Sequence, residues 1–227
     1  MKEKIEGILG DIERGGVDRL ARYLLHDSDF LTAPASIYHH LACPGGLAKH
    51  TFNVINCAID LNEKHGQLFT IDSVIIAGLV HDLCKVNFYV EADEAPSEKQ
   101  VNYLKSLTKN AGFIIPSNLN KSYASTLIDF LLNKYKPGMA LPEYVHNYKI
   151  DDQFPVGHGE KSLYIASQYL ELTLDEALAI RFHMGAWDLN FNSPYQKNAY
   201  QDAVKRSKLV TILQLADQEA THLVEGN

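Results

Sequence analysis

Tryptophan, methionine and cysteine are scarce in this 227-residue chain, with one, three and three copies. The cysteines Cys43, Cys57 and Cys84 share no C-x-x-C spacing, and an odd count gives no disulfide framework. A reducing compartment and service as small apolar residues are therefore expected of them. Also missing is any apolar run of the roughly 20 residues that a bilayer-crossing helix needs. The opening Met1-Lys2-Glu3-Lys4 leads into a stretch with interspersed acids, which lacks the uninterrupted apolar core of a secretory signal. A cytoplasmic location with no membrane partner is the expectation. Basic excess is absent too: the formal charge of −7 excludes a chain that coats nucleic acid over its whole surface.

What the chain does have is histidine, ten in all. Their setting is mostly helical. Ile5, Ile8, Leu9, Ile12, Val17, Leu20 and Leu24 keep helical spacing across a break at Gly15-Gly16, which predicts two short helices. Leu47 to Lys64 reads as a long helix carrying His50, ended by Gly66. Thr70 caps the next helix, whose Val74, Ile75, Ala77 and Leu79 run into His81-Asp82. Residues 87–90 and 143–150 look extended and predict a small β-hairpin. Between them, residues 96–136 form a module of their own, with a capped start at Ser97 and Gln100, a turn from Gly112 to Pro116, and a second helix from Tyr123 to Tyr135. Helices over Ser162–Leu172, Leu174–His183 and about Tyr195–Leu223 complete an all-α fold, one domain over residues 1–227 with an insertion.

His81-Asp82 follows an apolar stretch, so a carboxylate enters a region where an unpaired charge is costly, and a bound cation removes that objection. Asp217 raises the same question on the last helix. It lies one turn beyond Leu213, with Ala220 following, which leaves it either exposed at the edge of the apolar stripe or buried against a cation. His50 and His183 lie among apolar neighbours, where a lone histidine serves as a hydrogen-bonded core residue or as a ligand. Lys85, three residues past Asp82, falls on the same face if the helix persists, as a solvated lysine or as a point charge for a phosphate.

Tyr38-His39-His40, Gly45-Gly46-Leu47 with His50, His81-Asp82 with Lys85, Gly157-His158-Gly159-Glu160-Lys161-Ser162, Arg181-Phe182-His183-Met184-Gly185 and Leu215-Ala216-Asp217 follow one another along most of the chain. That succession resembles the HD-domain superfamily of metal-dependent phosphohydrolases. Its first two blocks also resemble HD-type exoribonucleases and cyclic-dinucleotide phosphodiesterases, and the Gly-His-Gly-Glu-Lys-Ser block resembles HD proteins of bacteria and their phages. The resemblance implies an HD-type helical bundle with a binuclear centre. In it, His50, His81, Asp82 and Asp217 hold one ion, His158 and His183 hold a second, and Asp82 bridges them. The implied cofactors are two divalent transition-metal ions, drawn from Fe, Mn, Co, Ni and Zn, with Mg also admissible. Asp82 and Lys85 take the catalytic roles, with Lys85, His40 or its neighbour His39, Glu160 and Arg181 near the substrate. For Glu160 and Arg181 a structural salt bridge is the alternative. Trp187 either lines a pocket or packs. His26, His65 and His222 are read as solvated.

The expected reaction is hydrolysis of a phosphoester or phosphoanhydride in a nucleotide, cyclic nucleotide or short oligonucleotide. A di-iron oxygenase using the same six ligands, or a non-catalytic nucleotide-binding module, are the alternatives. Residues 96–136 lie outside the common core and resemble a small helical module of phage-type proteins. Six lysines there (99, 105, 109, 121, 134 and 136) face Glu98 and Asp129, net +4, leaving −11 for the remainder of the chain. The module is read as a structural or substrate-gating insert, or as a contact for nucleic-acid phosphates. The sequence leaves the oligomeric state open.

Overall fold

The structure is a computed structural model and describes every residue except Tyr38, Asp93, residues 110–113, Pro137, Phe191 and Asn227. The tyrosine of the first motif block and the beginning of the turn at Gly112 thus fall outside the described residues. Helix accounts for 59% of the chain, in ten α-helices among the described residues, beside one small antiparallel two-stranded sheet. The all-α fold with a minor β element is what the periodicities predict. No helix among the described residues is long and apolar enough to cross a membrane.

In chain order the elements are α1 (Lys2–Gly10), α2 (Val17–Arg22, prolonged by a π-helical turn over Tyr23–Asp27), α3 (Gly46–Lys64), α4 (Ile71–Val80), β1 (Tyr89–Glu91), α5 (Glu98–Thr108) and α6 (Lys121–Asn133). They continue with β2 (Tyr148–Ile150), α7 (His158–Ser167), α8 (Leu174–Phe182), α9 (Pro194–Arg206) and α10 (Lys208–Glu219). The chain divides into two compact units, Met1–Tyr89 with Asp151–Asn227, and Val90–Ile150.

The first unit is organised around two apolar clusters. One gathers Ile5, Leu9, Leu20 and Leu24 from the first helices with Leu47 and Ile55 of α3, Ile76 and Leu79 of α4, and Ile180 of α8. The other seats Leu209, Ile212, Leu213 and Ala216 of α10 on Val54 and Ala58 of α3, Ala77 of α4 and Ala179 of α8. Each fully buried leucine or isoleucine contributes about 1.5–3 kcal/mol relative to exposure, so these contacts fix where the helix ends lie. Two glycines let those ends approach. A Cβ on Gly78 would sit 3.0 Å from Ile55 Cγ1, so α4 passes close to α3. On Gly159 it would meet the Arg181 carbonyl oxygen at 2.1 Å, which sets α7 directly against the end of α8. Gly159→Ala forces backbone to shift and is expected to cost about 2 kcal/mol or more in urea unfolding. An unchanged unfolding midpoint would count against that close approach.

The second unit packs α5 on α6 through Leu104, Tyr123, Ala124 and Leu127. Ser97 and Gln100 form the expected capping box, and Asn120, not anticipated, caps α6 by accepting from the Tyr123 amide at 2.7 Å. All six lysines of residues 96–136 are exposed, with Lys121 paired to Glu94 and Lys134 to Asp129 at the surface.

Four expectations need correction. The strands are shorter than residues 87–90 and 143–150: Asn87 turns the chain at φ 52°, while the Val145 carbonyl accepts from the Asn120 side chain at 2.9 Å instead of joining the ladder. The long final helix is two. Ser207 is extended at φ −132°, ψ 122°, ends α9 and caps α10 by accepting from the Leu209 amide. Helix α7 begins at His158 rather than Ser162, and its cap, Gly157, carries no side-chain signal. Helix α4 stops at Val80, so Asp82 and Lys85 are joined by a 3-10 turn over Leu83–Lys85 rather than by a continuing α-helix.

Candidate metal centre

His50 projects from the second turn of α3, His81 and Asp82 follow the last turn of α4, His158 opens α7, His183 ends α8, and Asp217 lies in the last turn of α10. Five elements of the first unit thus converge. His81 Nδ1 donates to the Gly78 carbonyl at 2.8 Å, and His183 Nδ1 to the Ile180 carbonyl at 2.7 Å, both three residues back in the chain. These bonds fix the tautomer, leaving each Nε2 as a lone-pair donor directed at the cluster. His183 Nε2 is buried and has no hydrogen-bond partner among the described residues.

Asp82 stands at the centre, 3% exposed. Its two oxygens address different histidines. Oδ2 is 3.5 Å from His50 Nε2 and 3.4 Å from His81 Nε2, while Oδ1 is 2.8 Å from His158 Nε2 and 3.7 Å from His183 Nε2. The donor atoms of His50, His81 and Asp82 lie within 4.8 Å of one another, as do those of Asp82, His158 and His183, so this buried cluster could hold a metal ion. Asp217 is buried rather than exposed at the edge of its stripe; its Oδ1 lies 3.2 Å from His50 Nε2.

The 3-10 turn after Asp82 eclipses residues three apart. It therefore still delivers Lys85, whose Nζ lies 2.6 Å from Asp82 Oδ2 with the side chain largely buried. The lysine is not a solvated one. Burial pushes its ammonium down in pKa, but the Asp82 carboxylate outweighs that and holds it above its ordinary value. Asp82 is pushed up by burial and held well below its ordinary value by Lys85 and the surrounding imidazoles. Burial also lowers His50, yet the Asp217 and Glu225 carboxylates carry it to about 9; burial of His158 is outweighed by Cys84 and Asp82, again to about 9. Three buried carboxylates, Asp82, Asp217 and Glu225, face the buried Lys85 ammonium, and His50 and His158 are held above their ordinary value accordingly.

The other residues expected near the substrate divide. The His40 ring packs against that of His50 at 4.8 Å between centroids and is mostly buried, and burial pulls its pKa down to about 4; His39 is exposed. Glu160 and Arg181 pair with each other, and Arg181 also reaches Asp188, an ion-pair network set apart, among the described residues, from the ion pairs of the six. Trp187 is 81% exposed and does not pack. His26, His65 and His222 are exposed, as expected. Not all the cysteines are filler: Cys43 is exposed, and Cys84 Sγ lies 3.3 Å from both ring nitrogens of His158.

Glu225 was not anticipated. Its side chain is fully buried and both oxygens lie 3.2 Å from His50 Nδ1. The eight-residue spacing from Asp217, two helical turns on, was the one available signal. Tyr89 is the second addition; burial first, then Asp82, hold its phenol up to about 12 against the lowering effect of Lys85, so it stays a hydroxyl donor at neutral pH. No family model matches the chain, and no curated protein or solved structure does so either.

Proposed function

We propose that this chain is a metal-dependent phosphohydrolase of the HD-domain type, acting on a phosphoester or phosphoanhydride of a nucleotide, cyclic nucleotide or short oligonucleotide. The observation that carries the reading is the division of Asp82, with one oxygen turned to His50 and His81 and the other to His158 and His183. His50, His81, Asp82 and Asp217 would hold one divalent ion, and His158, His183 and the other Asp82 oxygen a second. The donors are nitrogen and oxygen throughout, which suits Mn, Fe, Co, Ni or Zn. Two such ions, when bound, supply activated water near neutral pH and neutralise charge on phosphoryl oxygens.

The chain's own residues do the rest. Backbone bonds to His81 and His183 keep their Nε2 lone pairs directed inward, so these two ligands are already oriented. Lys85 keeps an ammonium beside Asp82 and is the group on hand to take a phosphoryl oxygen, with the Tyr89 hydroxyl near it. The low pKa of His40 keeps a neutral imidazole beside His50.

The test is a panel of phosphodiester, phosphomonoester, cyclic-nucleotide and nucleoside-triphosphate substrates with Mn²⁺, Co²⁺, Ni²⁺ or Mg²⁺. Turnover absent from Asp82→Ala, and reduced roughly 10²-fold in kcat/KM by Lys85→Met, is expected. Uniform inactivity of the wild type, or oxygen uptake by iron-loaded protein without phosphate release, would overturn the proposal.

A further inference from the structure

His50 differs from the other inward histidines in how its outer nitrogen is held. His81 and His183 sit at helix ends, where a carbonyl three residues back is free to accept from Nδ1. His50 lies in the interior of α3, where the carbonyls are engaged by the helix itself. An acceptor has to come from elsewhere. Glu225 provides it from 175 residues away, with Oε1 and Oε2 each 3.2 Å from Nδ1. The carboxylate is in turn braced by the Asn53 amide, which donates to Oε1 at 2.8 Å from one turn along α3.

Burying a carboxylate is costly unless hydrogen bonds compensate it. Glu225 has no side-chain exposure and no lysine or arginine partner among the described residues, so its charge is answered by Asn53 and the His50 ring at hydrogen-bond distance, with His40 Nε2 farther off at 3.9 Å. The opposite edge of that ring faces Asp217 at 3.2 Å and His81 Nε2 at 3.4 Å. An imidazole whose Nδ1–H is taken by a carboxylate exists in one tautomer, is more basic at Nε2, and cannot rotate.

We propose that Glu225 is a positioning residue of the metal centre, holding His50 so that Nε2 presents its lone pair to the ion. The inference rests on the reading of the cluster as metal-binding. A competing arrangement uses the same atoms, because His40, His50 and Glu225 also have donors within 4.8 Å of one another and would form a separate cation site.

Titration of the full chain with Co²⁺ alone, followed by calorimetry and by the visible cobalt spectrum, separates these outcomes. Glu225→Gln is expected to weaken binding about 10-fold and Glu225→Ala up to about 100-fold. Stoichiometry should be unchanged, the cobalt spectrum altered, and affinity partly rescued in Glu225→Asp. Asn53→Ala, which loosens Glu225 without touching His50, should give a smaller loss in the same direction, so the inference stays testable if Glu225 variants fold poorly. Wild-type affinity and spectrum in Glu225→Ala would overturn it. Loss of one bound ion in both Glu225→Gln and His40→Ala would overturn it in favour of the separate cation site. A wild type that takes up no Co²⁺ would overturn the metal centre itself, and this inference with it.

Discussion

Asp82→Asn is expected to abolish divalent-metal uptake at both triads and, without any metal, to destabilise the fold by about 3–5 kcal/mol. Asp82 belongs to both groups of donors, so one substitution removes a charged oxygen from each. It also answers Lys85 at 2.6 Å, and the amide leaves that ammonium buried without an anion. The two effects separate in a second variant. Adding Lys85→Met replaces the stranded charge with an apolar chain of similar length and should restore most of the stability, since the buried ammonium that lacked an anion is gone. Metal uptake should stay lost. Urea unfolding with and without Mn²⁺ reads both quantities. A single Asp82→Asn variant that still binds metal with wild-type stoichiometry would remove Asp82 from its central role.

Arg14→Met is expected to cost about 3–5 kcal/mol at neutral pH, and the difference from wild type should shrink as the solution is acidified. Glu176 is 0% exposed and receives Arg14 at 2.9 and 3.1 Å, the Ser73 hydroxyl at 2.7 Å and the Thr173 amide at 2.8 Å. Burial pushes its carboxyl up, but these donors, Arg14 first, hold it below its ordinary value of 4.5. A carboxyl depressed in the folded state contributes stability that is complete above its unfolded value and is lost as pH falls through its folded value. Without the guanidinium burial dominates, the carboxyl moves up, and the penalty in the variant disappears once the group is protonated. Unfolding free energies at pH 7 and at pH values below 4.5 check this. A difference that is constant over the range would mean that the pair is not what Arg14 contributes.

Most of this arrangement was open to reading along the chain wherever a local rule decided it. Thr70 and Ser97 mark the starts of α4 and α5, the apolar spacing of residues 74–79 leads to His81, and the helical run from Leu47 to Lys64 carries His50. Tertiary packing decided the rest. Nothing adjacent to Gly157 marks it as a cap, so the start of α7 at His158 is hidden, while Ser207 interrupts a pattern that remains helical on both sides. Glu160 and Arg181 find each other only because Gly159 admits the backbone of Arg181. Glu225 follows Leu223 and Val224 just past α10, with a neighbouring sequence that marks no acid as buried. Its spacing from Asp217 puts the two acids on one side of the helix, but its burial depends on where α3 lies, which that spacing does not carry.

The bond between His50 and Glu225 also bears on how the chain reaches its native state. It joins positions 175 residues apart, and the remaining donors are spread along the sequence between them. Contacts so distant in sequence incur loop-closure entropy before they return any enthalpy, so late assembly of the centre is the expected order. An occupant would then act as a clasp on the completed topology. At 100 times its dissociation constant it would add about 2.7 kcal/mol to global stability and slow opening at every helix that supplies a donor.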